Sequence, residues 1–220
     1  MEAFFDHLES HGSEDVNRML KKLRETKVLD SQSISWCSAV ATLILKEVGP
    51  KKIIEIGTGY GEHFNLLLPH VSSYVGVDAM YELVPDVYDV DGHDATKVNK
   101  KKLESFWKNA ETFKDKVRLV VGNSFYVAHD PRYKKIFSDA ELIIIDGCHH
   151  PAELVSMDYE NFKKYLTTPH FIVWDDFLLS DLAPDIRRAI LLSMQIMKKD
   201  GFAFLGAAVK NAYAMYIYKP

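Results

Sequence analysis

The chain has 220 residues, of which 47% are hydrophobic, and its formal net charge is -4. A chain of this size can bury the core of one α/β domain, and we predict a single domain over residues 1–220. The negative charge disfavours a dedicated nucleic-acid-binding protein. Two cysteines are too few for a disulfide scaffold, and no apolar run is long enough for a membrane span. Because the first residues also lack the basic segment of a signal peptide, we expect a cytoplasmic protein without a membrane partner.

The first 50 residues are predicted to form helices. Apolar residues between Val16 and Leu23 recur at helical spacing, and Ser31 and Ser33 can cap a second helix that ends near Gly49. N-terminal helices over residues 1–50 therefore precede the first strand.

Seven short apolar runs follow, and helical patterns separate most of them. Such runs are typical of parallel strands covered on both faces, so the alternation predicts a doubly wound, mostly parallel α/β sheet. Only Gly206 to Asn211 join the last two runs, which is too short for a parallel crossover, so the final strand should be antiparallel. The predicted strands are Ile53–Ile56, Tyr74–Val77, Val117–Val121, Leu142–Ile145, Phe171–Trp174, Phe202–Leu205 and Tyr213–Tyr218, and the predicted helices among them are Leu103–Phe113, Val155–Leu166 and Ile186–Met197.

A polar interval from Tyr81 to Lys102 interrupts this alternation. It holds several aspartates and ends in three consecutive lysines. Connections longer than about 12 to 15 residues are usually functional lids or disordered segments. We predict a lid-like insertion over residues 81–102, with a solvated insertion of no function as the alternative.

A glycine-rich turn follows the first predicted strand, with the spacing G-x-G-x-G at Gly57, Gly59 and Gly61. A dinucleotide-binding turn has the longer spacing G-x-G-x-x-G and holds a pyrophosphate at the helix start. Here Glu62 follows the third glycine, and its charge would repel a diphosphate. Asp78 ends the next strand about 20 residues later, a distance that brings an acid to ribose hydroxyls. A tight turn without a ligand is the alternative for the glycines.

An acid two places before G-x-G-x-G and a second acid after the next strand resemble the motifs of class I S-adenosylmethionine-dependent methyltransferases. The resemblance runs from about Ile34 to Tyr218, and it implies a Rossmann-like core over residues 51–220 with strand order 3-2-1-4-5-7-6. Asn123 stands where the family often has an acid beside the adenine, and its amide oxygen can still accept a hydrogen bond. By this resemblance the residues that bind S-adenosylmethionine are Glu55, Gly57, Thr58, Gly59, Gly61, Asp78, Asn123 and Ser124.

Carboxylates also follow the fourth and fifth predicted strands. Asp146 ends the fourth, and Asp175 with Asp176 ends the fifth. In the implied order these strands are neighbours about 4.8 Å apart, so the three side chains can converge on one ion. Like charges this close are costly without a cation, and oxygen ligands favour a hard ion such as Mg²⁺, Mn²⁺ or Ca²⁺.

The spacing Asp-Gly-x-His, with a carboxylate pair after the next strand, resembles metal-dependent small-molecule O-methyltransferases, among them macrolide-sugar and cephalosporin-biosynthesis enzymes. This resemblance implies that Asp146, Asp175 and Asp176 bind a divalent cation, with Mg²⁺ expected, and that His149 is the catalytic base. The implied partner is a small-molecule hydroxyl acceptor, and two vicinal oxygens would suit the cation. Cys148 is expected to serve packing.

Other interpretations stay open from the sequence. Asp175 and Asp176 point to opposite faces if the strand continues through them, Asp176 can cap a turn, and His149 can be a satisfied loop histidine. The alternative functions are a metal-independent small-molecule N-methyltransferase, an NAD-dependent oxidoreductase and a non-catalytic methyltransferase-like binding module. A homo-oligomer is also open.

Overall fold

The structure, a computed structural model, describes residues 41–42, 44–46, 49–83, 93–147, 152–175, 192–193, 195–208 and 213–218. The first predicted N-terminal helix lies outside these residues. Strands and helices alternate along the described chain. The strands are β1 (Lys52–Ile56), β2 (Ser73–Asp78), β3 (Tyr81–Leu83), β4 (His93–Val98), β5 (Val117–Val121), β6 (Ala140–Ile145), β7 (Leu166–Trp174), β8 (Phe202–Ala208) and β9 (Tyr213–Tyr218).

All seven predicted strands pair in one sheet, in the order β5-β2-β1-β6-β7-β9-β8. Numbered along the chain within this sheet, the order is 3-2-1-4-5-7-6, which confirms the prediction. β1 runs parallel to β2 and β6, whereas β9 runs antiparallel to β7 and β8. The strands β5, β2, β1, β6 and β7 therefore end at one edge, where ligands bind in open α/β sheets.

Helices cover the sheet between these strands. Residues 41–42 and 44–46 are helical within the second predicted N-terminal helix, and residues 192–193 and 195–199 are helical before β8. In the described part of the chain, no helix is long and apolar enough to cross a membrane. The bounded helices are α1 (Phe64–Leu67), α2 (Lys100–Asn109), α3 (Ser124–His129), α4 (Lys134–Phe137) and α5 (Ala152–Phe162), with 3-10 turns at Leu68–His70, Glu111–Phe113, Pro131–Tyr133 and Lys163–Tyr165.

The boundaries of α2 and α5 differ from the prediction, since α2 spans Lys100–Asn109 and α5 spans Ala152–Phe162. The helical pattern predicts a helix that reaches Leu166, but α5 ends at Phe162 and β7 begins at Leu166 itself. β7 is thus five residues longer at its start than the run Phe171–Trp174 indicated. The reason is that Ala140 at the start of β6 pairs with Leu166, which draws the connection into the sheet.

The polar interval over residues 81–102 contains regular structure, which the sequence pattern did not indicate. β3 and β4 form an antiparallel pair of their own, and the interval ends in the first turn of α2. Such a pair satisfies its backbone groups without an apolar run, so its polar composition concealed it. Residues 84–92 lie outside the described chain, and a lid over this interval stays a prediction.

The core consists of two apolar clusters, one on each face of the sheet. Ile53 and Tyr74 face one cluster, while their chain neighbours Ile54 and Val75 face the other, because side chains alternate along a strand. On the first face, the buried ring of Phe106 in α2 packs edge-on against Phe64 in α1, with ring centroids 4.9 Å apart. This contact fixes α2 over the helix that follows the glycine turn.

The core packing predicts that Phe106→Ala will lower the free energy of unfolding by about 3–5 kcal/mol, as for other buried aromatic residues. Urea unfolding followed by circular dichroism measures the change. Trp107→Ala is the matched control, because Trp107 is the next residue on α2 and is 36% exposed. A loss for Phe106→Ala no larger than for Trp107→Ala would contradict this account of the core.

Candidate active site

The glycine turn lies directly against the end of a neighbouring strand. Gly57 follows β1 with φ +89°, and its N–H donates to the carbonyl of Val77 at 2.8 Å. A Cβ atom added to Gly57 would overlap the backbone carbonyl of Asp146. Only glycine combines this backbone conformation with such a close approach. The turn after β1 and the end of β6 therefore form one packed unit.

Asp78 joins the glycine turn to the end of β2. Its Oδ2 accepts a hydrogen bond from the N–H of Gly59 at 2.9 Å, and its Oδ1 accepts one from the N–H of Met80 at 2.6 Å. Asp78 as a whole residue is 9% exposed. The structure thus brings together two residues that the sequence proposed for cofactor binding.

Lys102 is a residue of this site that no sequence pattern singles out. Its Nζ lies 2.9 Å from Oδ1 and 3.1 Å from Oδ2 of Asp78. Lys102 belongs to the first turn of α2, which Asn99 caps by accepting a hydrogen bond from the Lys102 N–H. The run of three lysines was a visible signal, but only folding shows which one turns inward.

Glu55 is held inside the protein next to the glycine turn. It is 1% exposed, and its Oε2 accepts a hydrogen bond from the Tyr74 hydroxyl and lies 2.7 Å from Nε2 of His63. The imidazole comes from the turn before α1 and the phenol from β2. Glu55 therefore ties three segments around the turn, and its direct contact with a cofactor stays a prediction.

The partners of Glu55 have shifted pKa values. Burial of His63 disfavours its charged form, but the charge and hydrogen bond of Glu55, helped by Glu62, outweigh burial and raise the pKa of His63. Burial, followed by the charge of Glu55, holds the pKa of Tyr74 well above its usual range. The pairing with Glu55 thus shifts His63 toward its charged form, and Tyr74 keeps its proton for Glu55.

The remaining predicted cofactor residues lie at the same edge. Thr58 is 1% exposed, and its Oγ1 has no hydrogen-bond partner among the described residues. Asn123 follows β5 and caps α3, because its Oδ1 accepts a hydrogen bond from the N–H of Phe125 at 3.0 Å. Ser124 is the first residue of that helix. A second lone pair of the Asn123 oxygen remains for a ligand donor.

Two of the predicted metal ligands lie side by side. Ile145 pairs with Trp174, so Asp146 and Asp175 follow adjacent positions of β6 and β7. The N–H of Asp175 donates to the carbonyl of Ile145 at 2.9 Å. β7 ends at Trp174, so Asp175 lies beyond the strand. The alternation of side chains between the two faces of a strand therefore does not apply to it.

The other residues of this motif are outside the described chain. They are His149 and Asp176, and Cys148 lies there as well. Among the residues that the structure describes, no group of three or more His, Cys, Asp or Glu side chains forms a metal site. Buried Asp158 of α5 is a further carboxylate at this edge, since a Cβ on Gly147 would lie 3.3 Å from its Oδ2.

A comparison with known families decides what kind of domain this is. The profile of a family described as "Methyltransferase domain" matches residues 54–177, more than half of the chain. The chain belongs to this methyltransferase family. The matched part of this methyltransferase contains the glycine turn, Asp78, Asp146 and Asp175. The predicted resemblance to methyltransferases, and with it the prediction of an enzyme, is confirmed. No curated protein matches the sequence significantly.

Solved methyltransferase structures share this fold. An O-methyltransferase from Bacillus cereus in complex with SAH is 14% identical, with a TM-score of 0.63, over 99% of this chain and 97% of that one. The O-methyltransferase TomG from Streptomyces achromogenes, in complex with SAM, is 12% identical, with a TM-score of 0.62, over 99% of this chain and 96% of that one. The SAH-bound methyltransferase PaMTH1 from Podospora anserina is 14% identical, with a TM-score of 0.58, over 100% and 95%. These likenesses confirm the doubly wound α/β fold.

The buried contact between His63 and Glu55 predicts a pH dependence of stability. Because the pKa of folded His63 is raised above the unfolded value near 6.5, its stabilisation is complete below that value. It is lost as the pH rises through the folded pKa. As the pH rises above about 6.5, wild-type protein should therefore lose more free energy of unfolding than His63→Gln, as measured by urea unfolding.

This pH window separates His63 from His170. Burial lowers the pKa of His170 to about 4, so His170 is neutral in the folded protein throughout the window. His129→Gln, a change of an exposed histidine on α3, is the matched control and should follow the wild type. Equal pH slopes for wild type and His63→Gln would show that the ion pair does not contribute.

Proposed function

We propose that this methyltransferase transfers a methyl group from S-adenosylmethionine to a hydroxyl of a small molecule, with a divalent cation beside the acceptor. The observation that carries the proposal is the hydrogen bond from the Gly59 N–H to the Asp78 carboxylate, in a chain that belongs to the methyltransferase family. Two of the structural neighbours are O-methyltransferases with SAM or SAH bound. We propose that this chain uses the same cofactor and also methylates an oxygen atom.

The glycine turn has room for a nucleoside cofactor. Gly57, Gly59 and Gly61 all have positive φ, and a Cβ added to Gly59 would meet no atom within 4 Å. The space beside Gly59 is therefore open, with the Asp78 carboxylate at its rim. Carboxylate oxygens accept hydrogen bonds from ribose hydroxyls.

Methyl transfer from a sulfonium is an in-line displacement. The acceptor oxygen forms a bond to the methyl carbon as the bond from carbon to sulfur breaks, and S-adenosylhomocysteine leaves. The protein must align the two molecules and remove the hydroxyl proton. We assign the proton to an imidazole nitrogen of His149, on the basis of the spacing Asp-Gly-x-His after β6.

The residues proposed for the cation are Asp146, Asp175 and Asp176. The adjacent placement of Asp146 and Asp175 at the ends of β6 and β7 supports them, and their oxygen atoms suit Mg²⁺. When bound, such a cation stabilises the deprotonated form of an acceptor hydroxyl. Two carboxylates close together at one edge repel each other, and a bound cation would offset that repulsion.

The proposal also includes the setting of the reaction. We propose a cytoplasmic enzyme whose acceptor carries vicinal oxygens. A metal-independent N-methyltransferase is the second candidate, since the family match alone is compatible with either acceptor atom. The NAD-dependent alternative is disfavoured, because Glu62 follows the third glycine and its charge opposes a diphosphate.

The cofactor proposal predicts that Asp78→Ala will weaken binding of S-adenosylhomocysteine by about 1.5 to 3 kcal/mol, which is typical of lost hydrogen bonds to a charged group. Isothermal titration calorimetry measures the dissociation constant. Asp115→Ala, at an exposed acid in the turn before β5, is the control and should bind like the wild type. Wild-type protein that binds neither S-adenosylhomocysteine nor S-adenosylmethionine would end the proposal.

The metal proposal predicts that excess EDTA will abolish methyl transfer and leave S-adenosylhomocysteine binding unchanged. The reason is that the residues proposed for the cofactor lie at the ends of β1, β2 and β5, whereas the cation would lie beyond β6 and β7. His149→Ala should bind the cofactor and lose about 10²- to 10⁴-fold in transfer rate. His129→Ala, at an exposed histidine, should keep full activity. Full activity in EDTA would instead favour the metal-independent candidate.

A further inference from the structure

The carboxylate of Asp78 already has its full number of hydrogen bonds. Oδ2 accepts from the Gly59 N–H at 2.9 Å and faces Nζ of Lys102 at 3.1 Å. Oδ1 accepts from the Met80 N–H at 2.6 Å and from Nζ of Lys102 at 2.9 Å. A carboxylate offers about four lone-pair positions, so a further donor has to replace one of these partners.

Lys102 is the partner that can leave. The N–H groups of Gly59 and Met80 belong to the backbone of the turn and of the strand end, so their loss would rearrange both. The Lys102 ammonium ends a flexible side chain that is 20% exposed, against 8% for the Asp78 side chain. Because Nζ is within hydrogen-bonding distance of both oxygens, it occupies the position where a vicinal diol would donate to both.

The helix that carries Lys102 is fixed at both of its ends. At the start of α2, the Asn99 N–H donates to the carbonyl of Met80 at 2.6 Å. At its end, Nδ2 of Asn109 donates to the carbonyl of Tyr60 in the glycine turn at 2.9 Å. Rotation of the Lys102 side chain can therefore uncover Asp78 without movement of α2.

We propose that Lys102 is a latch on the ribose-binding acid, which the ribose diol of the cofactor must displace from Asp78. This inference rests on the proposed function, since it assumes that S-adenosylmethionine binds at Asp78. Breaking the ion pair subtracts from the binding free energy of the cofactor. Lys102 thereby lowers cofactor affinity and favours release of S-adenosylhomocysteine after transfer.

The test compares Lys102→Met with Lys101→Met by calorimetry with S-adenosylhomocysteine. Lys102→Met removes the charge and keeps most of the apolar stem, so the dissociation constant should fall by about 5- to 10-fold. Lys101 lies on the same helix turn and is exposed, so Lys101→Met is the control for loss of one positive charge. Its dissociation constant should stay within about twofold of the wild type.

A thermodynamic cycle with Asp78→Ala makes the test specific. In the Asp78→Ala background there is no acid to cover, so Lys102→Met should leave the dissociation constant unchanged. Lys102→Gln, which is neutral and polar, should tighten binding like Lys102→Met and serves if the methionine variant unfolds. Thermal unfolding of every variant confirms that it is folded.

The outcomes separate this inference from the proposed function. Weaker or unchanged binding to folded Lys102→Met and Lys102→Gln, with normal binding to the wild type, would overturn the latch and leave the cofactor proposal intact. Tightening that persists in the Asp78→Ala background would also overturn it. Absence of binding to the wild type and to both Lys102 variants would show that the cofactor proposal itself is wrong.

Discussion

The close approach of Gly57 to the backbone of Asp146 is the constraint on which the site depends. The Asp146 N–H donates to the carbonyl of Ile56 at 2.8 Å, and the Gly57 N–H donates to the carbonyl of Val77. The turn after β1 is thus held between the ends of β2 and β6, with no space for a side chain at Gly57. Any ligand in the turn consequently lies next to the edge that carries Asp146 and Asp175.

Negative charge accumulates at this edge, and the protein compensates each carboxylate by different means. Glu55 receives a hydrogen bond from Tyr74 and pairs with His63. Asp78 has two backbone N–H donors and the Lys102 ammonium. Burial, followed by the nearby acids beginning with Glu55, keeps the pKa of Tyr74 far above its usual range. The edge as a whole suits cationic ligands, and both a sulfonium and a divalent ion have that character.

α2 links the cofactor side of the site to the rest of the fold. Phe106 of α2 packs against α1, and Asn99 caps the start of the helix. At its other end, Asn109 donates a hydrogen bond to the glycine turn. The antiparallel pair of β3 and β4 precedes it directly along the chain. The likeness to solved methyltransferases at 12–14% identity shows the fold, whereas these contacts are properties of this chain.

The sequence by itself determined the sheet, its strand order, the reversed final strand, the family and the position of Asp78. The strands, the reversed final strand and Asp78 follow from periodic apolar runs, glycine spacing and the length of one connection, which are local along the chain. The strand order came from the resemblance of these motifs to a known methyltransferase class. It did not indicate β3 and β4, because a polar antiparallel pair leaves no apolar pattern. It also missed His63, Tyr74 and Lys102, since they meet Glu55 and Asp78 only after residues 8 to 24 positions apart are brought together. Which lysine of a run turns inward, and which partner a buried carboxylate receives, was decided by tertiary packing, because burial makes an unpaired charge costly only once the fold exists.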